Sequence, residues 1–132
     1  MRFPAIALFA AAMSVAPLMP AAAQDGDAEA GRRVFAQCRA CHIVDNTPRN
    51  TVGPNLGGLW GRQAGAREGF RYSANMTALG AAGYVWNEAN LRAYLTNPKA
   101  VAPQGSMAFA GISNPEQLTN LIAYLRANTQ PQ

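Results

Sequence analysis

Two cysteines and the single histidine of the chain stand together in Cys38-Arg39-Ala40-Cys41-His42. Thiols separated by two residues can reach the two vinyl groups on one edge of a porphyrin, and an imidazole that follows directly can then meet the iron. The segment therefore points to one covalently attached haem c, with Cys38 and Cys41 as thioether links and His42 as proximal ligand. A Cys-x-x-Cys pair can also cycle between dithiol and disulfide, but the βαβ pattern expected around such a pair is not evident in the sequence. A structural zinc site has only these three evident ligands, one short of a closed tetrahedron.

With no second histidine, the other axial position falls to a thioether, a rarer ligand or an open site. Of five methionines, Met1, Met13 and Met19 lie in an N-terminal segment that reads as removable, which leaves Met76 and Met107. Met76 sits in Ser73-Ala74-Asn75-Met76-Thr77-Ala78-Leu79, a candidate short helix in which methionine commonly fills a core. Met107 lies in Pro103-Gln104-Gly105-Ser106-Met107-Ala108-Phe109-Ala110-Gly111, a stretch bracketed by helix breakers that reads as a loop able to hold a side chain over a flat cofactor. The loop setting favours Met107; Met76, or no sulfur ligand, stays open at this point.

The N-terminal segment has the layout of a targeting peptide. Arg2 precedes the apolar run Ala5 to Leu18, and Ala21-Ala22-Ala23 supplies small residues for cleavage. Pro17 and Pro20 interrupt the run, which is short for a bilayer crossing. Residues 1–23 are thus expected to be a cleaved signal peptide, and 24–132 a single domain exported to the periplasm. Loss of Arg2 lowers the formal charge from +4 to +3, and two ionised haem carboxylates would lower it further. Nucleic-acid binding has little support, because the arginines are scattered and the leader removes the chain from that compartment.

Helices framing these loops are legible from caps and periodicity. Asp27 can cap a first helix through Ala30, Val34 and Phe35 toward Cys38. A second begins near Asn87, puts Leu91, Tyr94 and Leu95 on one face and stops at Asn97 before Pro98. In the last, Asn114, Pro115 and Gln117 precede the stripe Leu118, Leu121, Ile122, Leu125, which reads as a core face without a cofactor role. Asp45 to Gly69 has no sustained period and is expected to be irregular chain. The fold class that follows is all-α with long loops. Its thin core needs a porphyrin to complete it, with Trp60, Tyr72, Tyr84, Trp86, Tyr94 and Phe109 as expected walls.

A family resemblance runs through the whole mature chain. It is carried by Gly31 and Phe35, by Cys38 to His42, by Gly53-Pro54-Asn55-Leu56-Gly57-Gly58-Leu59-Trp60-Gly61-Arg62, and by Gly69-Phe70-Arg71-Tyr72. Tyr84-Val85-Trp86, Asn97-Pro98-Lys99, Gly105 to Ile112 and Leu121 to Leu125 continue it. The sequence resembles class I cytochromes c of the mitochondrial cytochrome c and bacterial cytochrome c2 type.

The resemblance implies a cytochrome c fold, with three main helices, short helical turns and long loops wrapped around one covalently bound haem. It implies Met107 as distal ligand and so demotes Met76. Pro54 would accept a bond from the His42 ring. Tyr72 and Trp86 would bond a haem propionate, with Arg62 moderating its charge, while Asn75 and Tyr94 would belong to the polar network around the ligand methionine. Gly31, Phe35 and Tyr124 would join the first helix to the last. Gly105 departs from the family, which often has threonine there, and Lys99 is the one lysine where mitochondrial members have many.

The expected activity is electron carriage rather than catalysis, by outer-sphere transfer through the exposed haem edge. Redox proteins are the expected partners: a membrane-bound oxidase or reductase complex, or a periplasmic dehydrogenase. The docking rim would be Arg39, Lys99 and the Met107 loop, on a monomer not inserted in the membrane. The alternative is a ligand-binding or peroxidatic haem whose distal methionine can be displaced.

Overall fold

A computed structural model describes residues 25–132; the expected signal peptide lies outside them. Among the described residues five helices follow in order: α1 Ala28–Phe35, α2 Ala74–Ala81, α3 Glu88–Thr96, α4 Pro98–Val101 and α5 Pro115–Asn128. Among the described residues the only β pairing is an isolated bridge between Gln63 and Val85. No described helix is long and apolar enough to cross a membrane.

Side-chain caps set the starts. The Asp27 carboxylate accepts from the amides of Glu29 and Ala30 at 2.8 and 3.1 Å, Ser73 from Met76 at 3.1 Å, Asn87 from Asn90 at 2.9 Å and Asn114 from Gln117 at 3.0 Å. Each satisfies an amide that the helix itself leaves free. The sequence reading ends the α3 helix at Asn97 and stops there. The structure instead uses Asn97 twice, as the last cap of α3 and the first cap of α4, whose N1 residue is Pro98. Proline forbids continuation of one helix yet is preorganised to begin another.

The first and last helices cross at a point where only glycine fits. A Cβ on Gly31 would lie 1.9 Å from the Asn120 carbonyl oxygen, so the α1 and α5 backbones touch directly. One turn on, the rings of Phe35 and Tyr124 meet with centroids 5.0 Å apart, and the Asn120 side chain accepts from the Asp27 amide at 2.8 Å. This joint holds the end of α1, and with it the cysteine segment, against the fully buried Leu121 and Ile122.

Between α1 and α2 the chain is irregular but not loose. Buried Asn55 donates from its amide nitrogen to Asp45 Oδ1 at 2.6 Å and to the Thr47 carbonyl at 3.1 Å, and accepts from the Asp45 and Gly57 amides at 3.3 and 2.8 Å. The Thr47 hydroxyl and amide also donate to Asp45, at 2.7 and 3.0 Å. These bonds, the Thr47 hydroxyl first, hold the Asp45 carboxyl down at about 2. A carboxyl with a lowered folded-state pKa stabilises the fold above its ordinary value of 3.8 and stops doing so as pH falls toward about 2. Asp45→Asn should therefore lower the thermal midpoint of the holoprotein at neutral pH, and the gap from wild type should narrow between pH 4 and 2. A gap that is constant over that window would rule out ionised Asp45 as the centre of the loop.

Candidate functional site

A cavity of about 350 Å³ opens between α1, α3, α5 and the loops. Cys38, Cys41, His42 and Met107 all lie on its wall, with Pro54, Arg62, Tyr72, Trp86 and Tyr94. Of the sequence-derived site residues only Asn75 is absent from the lining. Its side chain instead accepts the Gln104 amide at 3.0 Å, tying the start of α2 to the loop three residues before Met107.

The cysteines and histidine reach one cavity because the chain keeps turning past α1. The Cys38 amide bonds to the Phe35 carbonyl at 2.8 Å, and the Cys38 carbonyl takes both the Cys41 and His42 amides, at 3.1 and 2.9 Å. Next, the Cys41 carbonyl takes the Gly53 amide at 2.7 Å and the Thr51 hydroxyl at 2.6 Å. The sequence reading gave no role to Thr51, since a bond across ten residues leaves no local pattern. Both thiols are free, and burial pushes that of Cys38 up to about 11.

His42 is held on its far side. Its Nδ1 lies 2.8 Å from the Pro54 carbonyl oxygen, an acceptor only, so Nδ1 carries the proton and Nε2 keeps its lone pair. A Cβ on Gly53 would sit 2.4 Å from His42 Cε1, so glycine there lets the loop lie close against the ring. The proline carbonyl thus fixes both tautomer and ring orientation.

The two methionines separate less cleanly than their sequence settings suggest. Met76 also lines the cavity, and it is 7% exposed. Met107 is half-buried, on a loop in which the amides from Ser106 to Gly111 make no main-chain bonds to the described residues. That loop is tethered at its start by Asn75 on Gln104, by the Gly105 amide on the Ala102 carbonyl at 2.9 Å and by the Lys99 ammonium, which donates to the Gly105 carbonyl.

At the polar side of the cavity Arg62 donates to the carbonyls of Gly57 and Asn55 at 2.9 and 3.3 Å, and desolvation lowers its pKa. Burial raises Tyr72, against the lowering effect of the Arg67 amide on its hydroxyl and of the Arg62 and Arg67 charges. Tyr94 is raised by burial and then by Tyr84.

Two of the expected aromatic walls stand elsewhere. Tyr84 is behind Trp86 in an edge-to-face pair at 5.5 Å and donates its hydroxyl to the Asn90 carbonyl at 3.1 Å. Trp60 lies under the Arg126 guanidinium at 5.3 Å, its amide bonded to the Thr129 carbonyl at 2.8 Å. Both rings found polar partners outside the cavity, and Phe35 and Phe70 line it with Tyr72, Trp86, Tyr94 and Phe109. The α5 stripe also differs from its sequence reading as plain core. Leu121 and Leu125 face the cavity while Leu118 and Ile122 do not line it, so one stripe serves both the protein core and the site.

These residues fit a covalently held porphyrin. An aliphatic and aromatic slot carries two thiols and an imidazole with its lone pair free, plus a thioether and cationic and phenolic groups suited to carboxylates.

Residues 28–129 match the family model described as Cytochrome c. The chain is 44% identical over 104 residues to cytochrome c2 of Afifella marina, covering 78% of this chain and 84% of that protein. It is 44% identical over 127 residues to cytochrome c2 of Blastochloris viridis, covering 96% and 93%. Among solved structures, that of cytochrome c2 from Rhodospirillum centenum superposes with a TM-score of 0.73 at 37% identity, covering 80% of this chain and 100% of that one.

Proposed function

The chain belongs to the cytochrome c family as a mono-haem electron carrier of the c type, and we propose that it shuttles single electrons between redox proteins in the periplasm. On this reading residues 1–23 are removed, 24–132 form the one domain, and transfer is outer-sphere. The observation that carries it is the meeting of Cys38, Cys41, His42 and Met107 on one apolar cavity.

When bound, haem c supplies a one-electron iron couple. Cys38 and Cys41 would hold it by thioether bonds. His42, kept in one tautomer by Pro54, would offer Nε2, and Met107 its sulfur. A soft thioether and apolar walls favour the ferrous state and raise the potential. Leu91, Leu121 and Leu125 exclude water from the slot, and Arg62, Tyr72 and Trp86 would meet a propionate. His42, on a turn braced by Thr51 and Gly53, need move little as charge changes, which suits transfer without catalysis.

Partners would dock at the cavity mouth, beside exposed Arg39 and the Met107 loop. Arg39 forms no ion pair among the described residues, so its charge is available for steering. In stopped-flow electron exchange with an acidic redox partner, Arg39→Glu should slow association about threefold to tenfold at low salt, with the difference fading as ionic strength rises. Equal rates at all salt concentrations would place docking elsewhere.

A further inference from the structure

We propose that Thr51 is a positioning residue for His42: its hydroxyl fixes the Cys41–His42 peptide, and the clamp so formed sets the strength of the bond from the His42 ring to the Pro54 carbonyl. The proposal rests on the electron-carrier reading and goes beyond it, because the resemblance gives position 51 no role.

The loop from Thr51 to Pro54 grips His42 on two sides. On the main-chain side the Cys41 carbonyl, part of the peptide that leads into His42, accepts the Thr51 hydroxyl at 2.6 Å and the Gly53 amide at 2.7 Å. On the ring side Nδ1 donates to the Pro54 carbonyl at 2.8 Å. The Thr51 amide donates to the Gly53 carbonyl at 3.0 Å, so the same residue also orients the peptide between Gly53 and Pro54. Among the described residues the Thr51 hydroxyl is the only side-chain donor to the main chain of residues 38–42.

Close packing couples the two grips. A Cβ on Gly53 would lie 2.4 Å from His42 Cε1 and 3.0 Å from the Cys41 carbonyl oxygen, so ring, carbonyl and loop backbone meet at one point. A Cys41 carbonyl that turns away from Thr51 therefore carries Gly53 with it, and with Gly53 the Pro54 acceptor. The His42 amide donates to the Cys38 carbonyl at 2.9 Å. Donors on the Cys41 carbonyl polarise that same peptide and strengthen the bond its N–H makes. Thr51 itself is exposed, so its hydroxyl supplies this bond without the side chain filling the core.

A hydrogen bond from the far ring nitrogen raises the basicity of the ligating one. A more basic imidazole favours ferric iron, and a loosened Nδ1–H bond to Pro54 favours ferrous. In the holoprotein, Thr51→Val keeps the branched shape and removes the hydroxyl. It should shift the ratio of ferrous to ferric protein at fixed poise about threefold toward ferrous, a rise of about 28 mV for a one-electron couple. In the ferrous state, nitrogen-15 NMR should show the His42 Nδ1 proton exchanging with solvent about tenfold faster than in wild type. Thr51→Ser should restore both values, because it keeps the hydroxyl. Thr96→Val is the control: its exposed hydroxyl makes a similar bond to the Arg92 carbonyl at 2.7 Å, and its loss should leave both values near wild type. In wild-type holoprotein the Thr51 hydroxyl proton should exchange slowly enough to be observed, and that measurement decides alone if Thr51→Val fails to mature. Three results would each overturn the proposal while the carrier reading stands: a Thr51→Val protein with wild-type potential and ring exchange, a Thr51→Ser protein that behaves like Thr51→Val, or a Thr51 hydroxyl proton lost to fast exchange. Wild-type protein that matures without haem would overturn the carrier reading itself.

Discussion

Replacing Cys38 and Cys41 together by alanine should leave a chain that does not persist as a folded helical domain. The thioether bonds are what would keep the cofactor in its slot, and without them the slot empties. A cavity of about 350 Å³ at about 24 cal/mol per Å³ corresponds to a loss of about 8 kcal/mol. A domain of this size has only about 5–15 kcal/mol in all. The surrounding core cannot close the gap, because Phe35, Leu91, Leu121 and Leu125 are at once well-buried core members and part of the cavity wall. We expect far-UV circular dichroism of the double variant to lose most of its helical signal, with amide protection in α1 and α3 gone. Cooperative thermal unfolding with near-native ellipticity would show that the protein core suffices without the porphyrin.

That dependence explains why some features were legible in the sequence and others were not. Asp27, Asn87 and Asn114 act on amides two or three residues away, so their start signals survive in a single chain. So does the α5 stripe, whose period is set by the helix. Which half of the stripe meets protein and which half meets the cavity depends on α1 and α3, and the periodicity of α5 carries no trace of them. Trp60 and Tyr84 were misplaced for the same reason: size and apolarity marked them as walls, while their partners, Arg126 and the Asn90 carbonyl, decided otherwise. Asn97-Pro98 was read as a stop because a proline after a helix usually is one. Its second use as the start of α4 rests on the Asn97 side chain, which accepts the Ala100 amide at 3.2 Å with Pro98 at N1.

The loop from Asp45 to Gly57 shows the limit most clearly. Nothing periodic marks it, yet Asn55 collects four bonds there, and Arg62 and Arg67 both lean on its carbonyls. Apart from the Gly57 amide on Asn55, this polar network is fixed by contacts across five to twenty residues. Gly53-Pro54 could be read only by resemblance. Its physical reason, a ring lying where a Cβ would stand and a carbonyl aimed at Nδ1, becomes visible in three dimensions.

The ligand methionine is the sharpest remaining test, because both candidates reach the cavity. Met107→Ala should abolish the sulfur-to-iron charge-transfer band of the ferric protein. It should also lower the ferrous-to-ferric ratio at fixed poise by at least about tenfold, about 59 mV, and let small anions such as azide bind. The loop can empty its ligand position at little structural cost, since among the described residues Ser106 to Gly111 contribute no main-chain bonds from their amides. Met76→Ala should do the reverse. Its side chain is buried in α2, so truncation should lower stability by about 2–5 kcal/mol while the band and the potential stay near wild type. The two variants therefore exchange signatures, one spectroscopic and one thermodynamic. If Met76→Ala lost the band and Met107→Ala kept it, the thioether would come from α2. The Asn75–Gln104 and Lys99–Gly105 tethers would then be holding a lid over the site rather than a ligand in it.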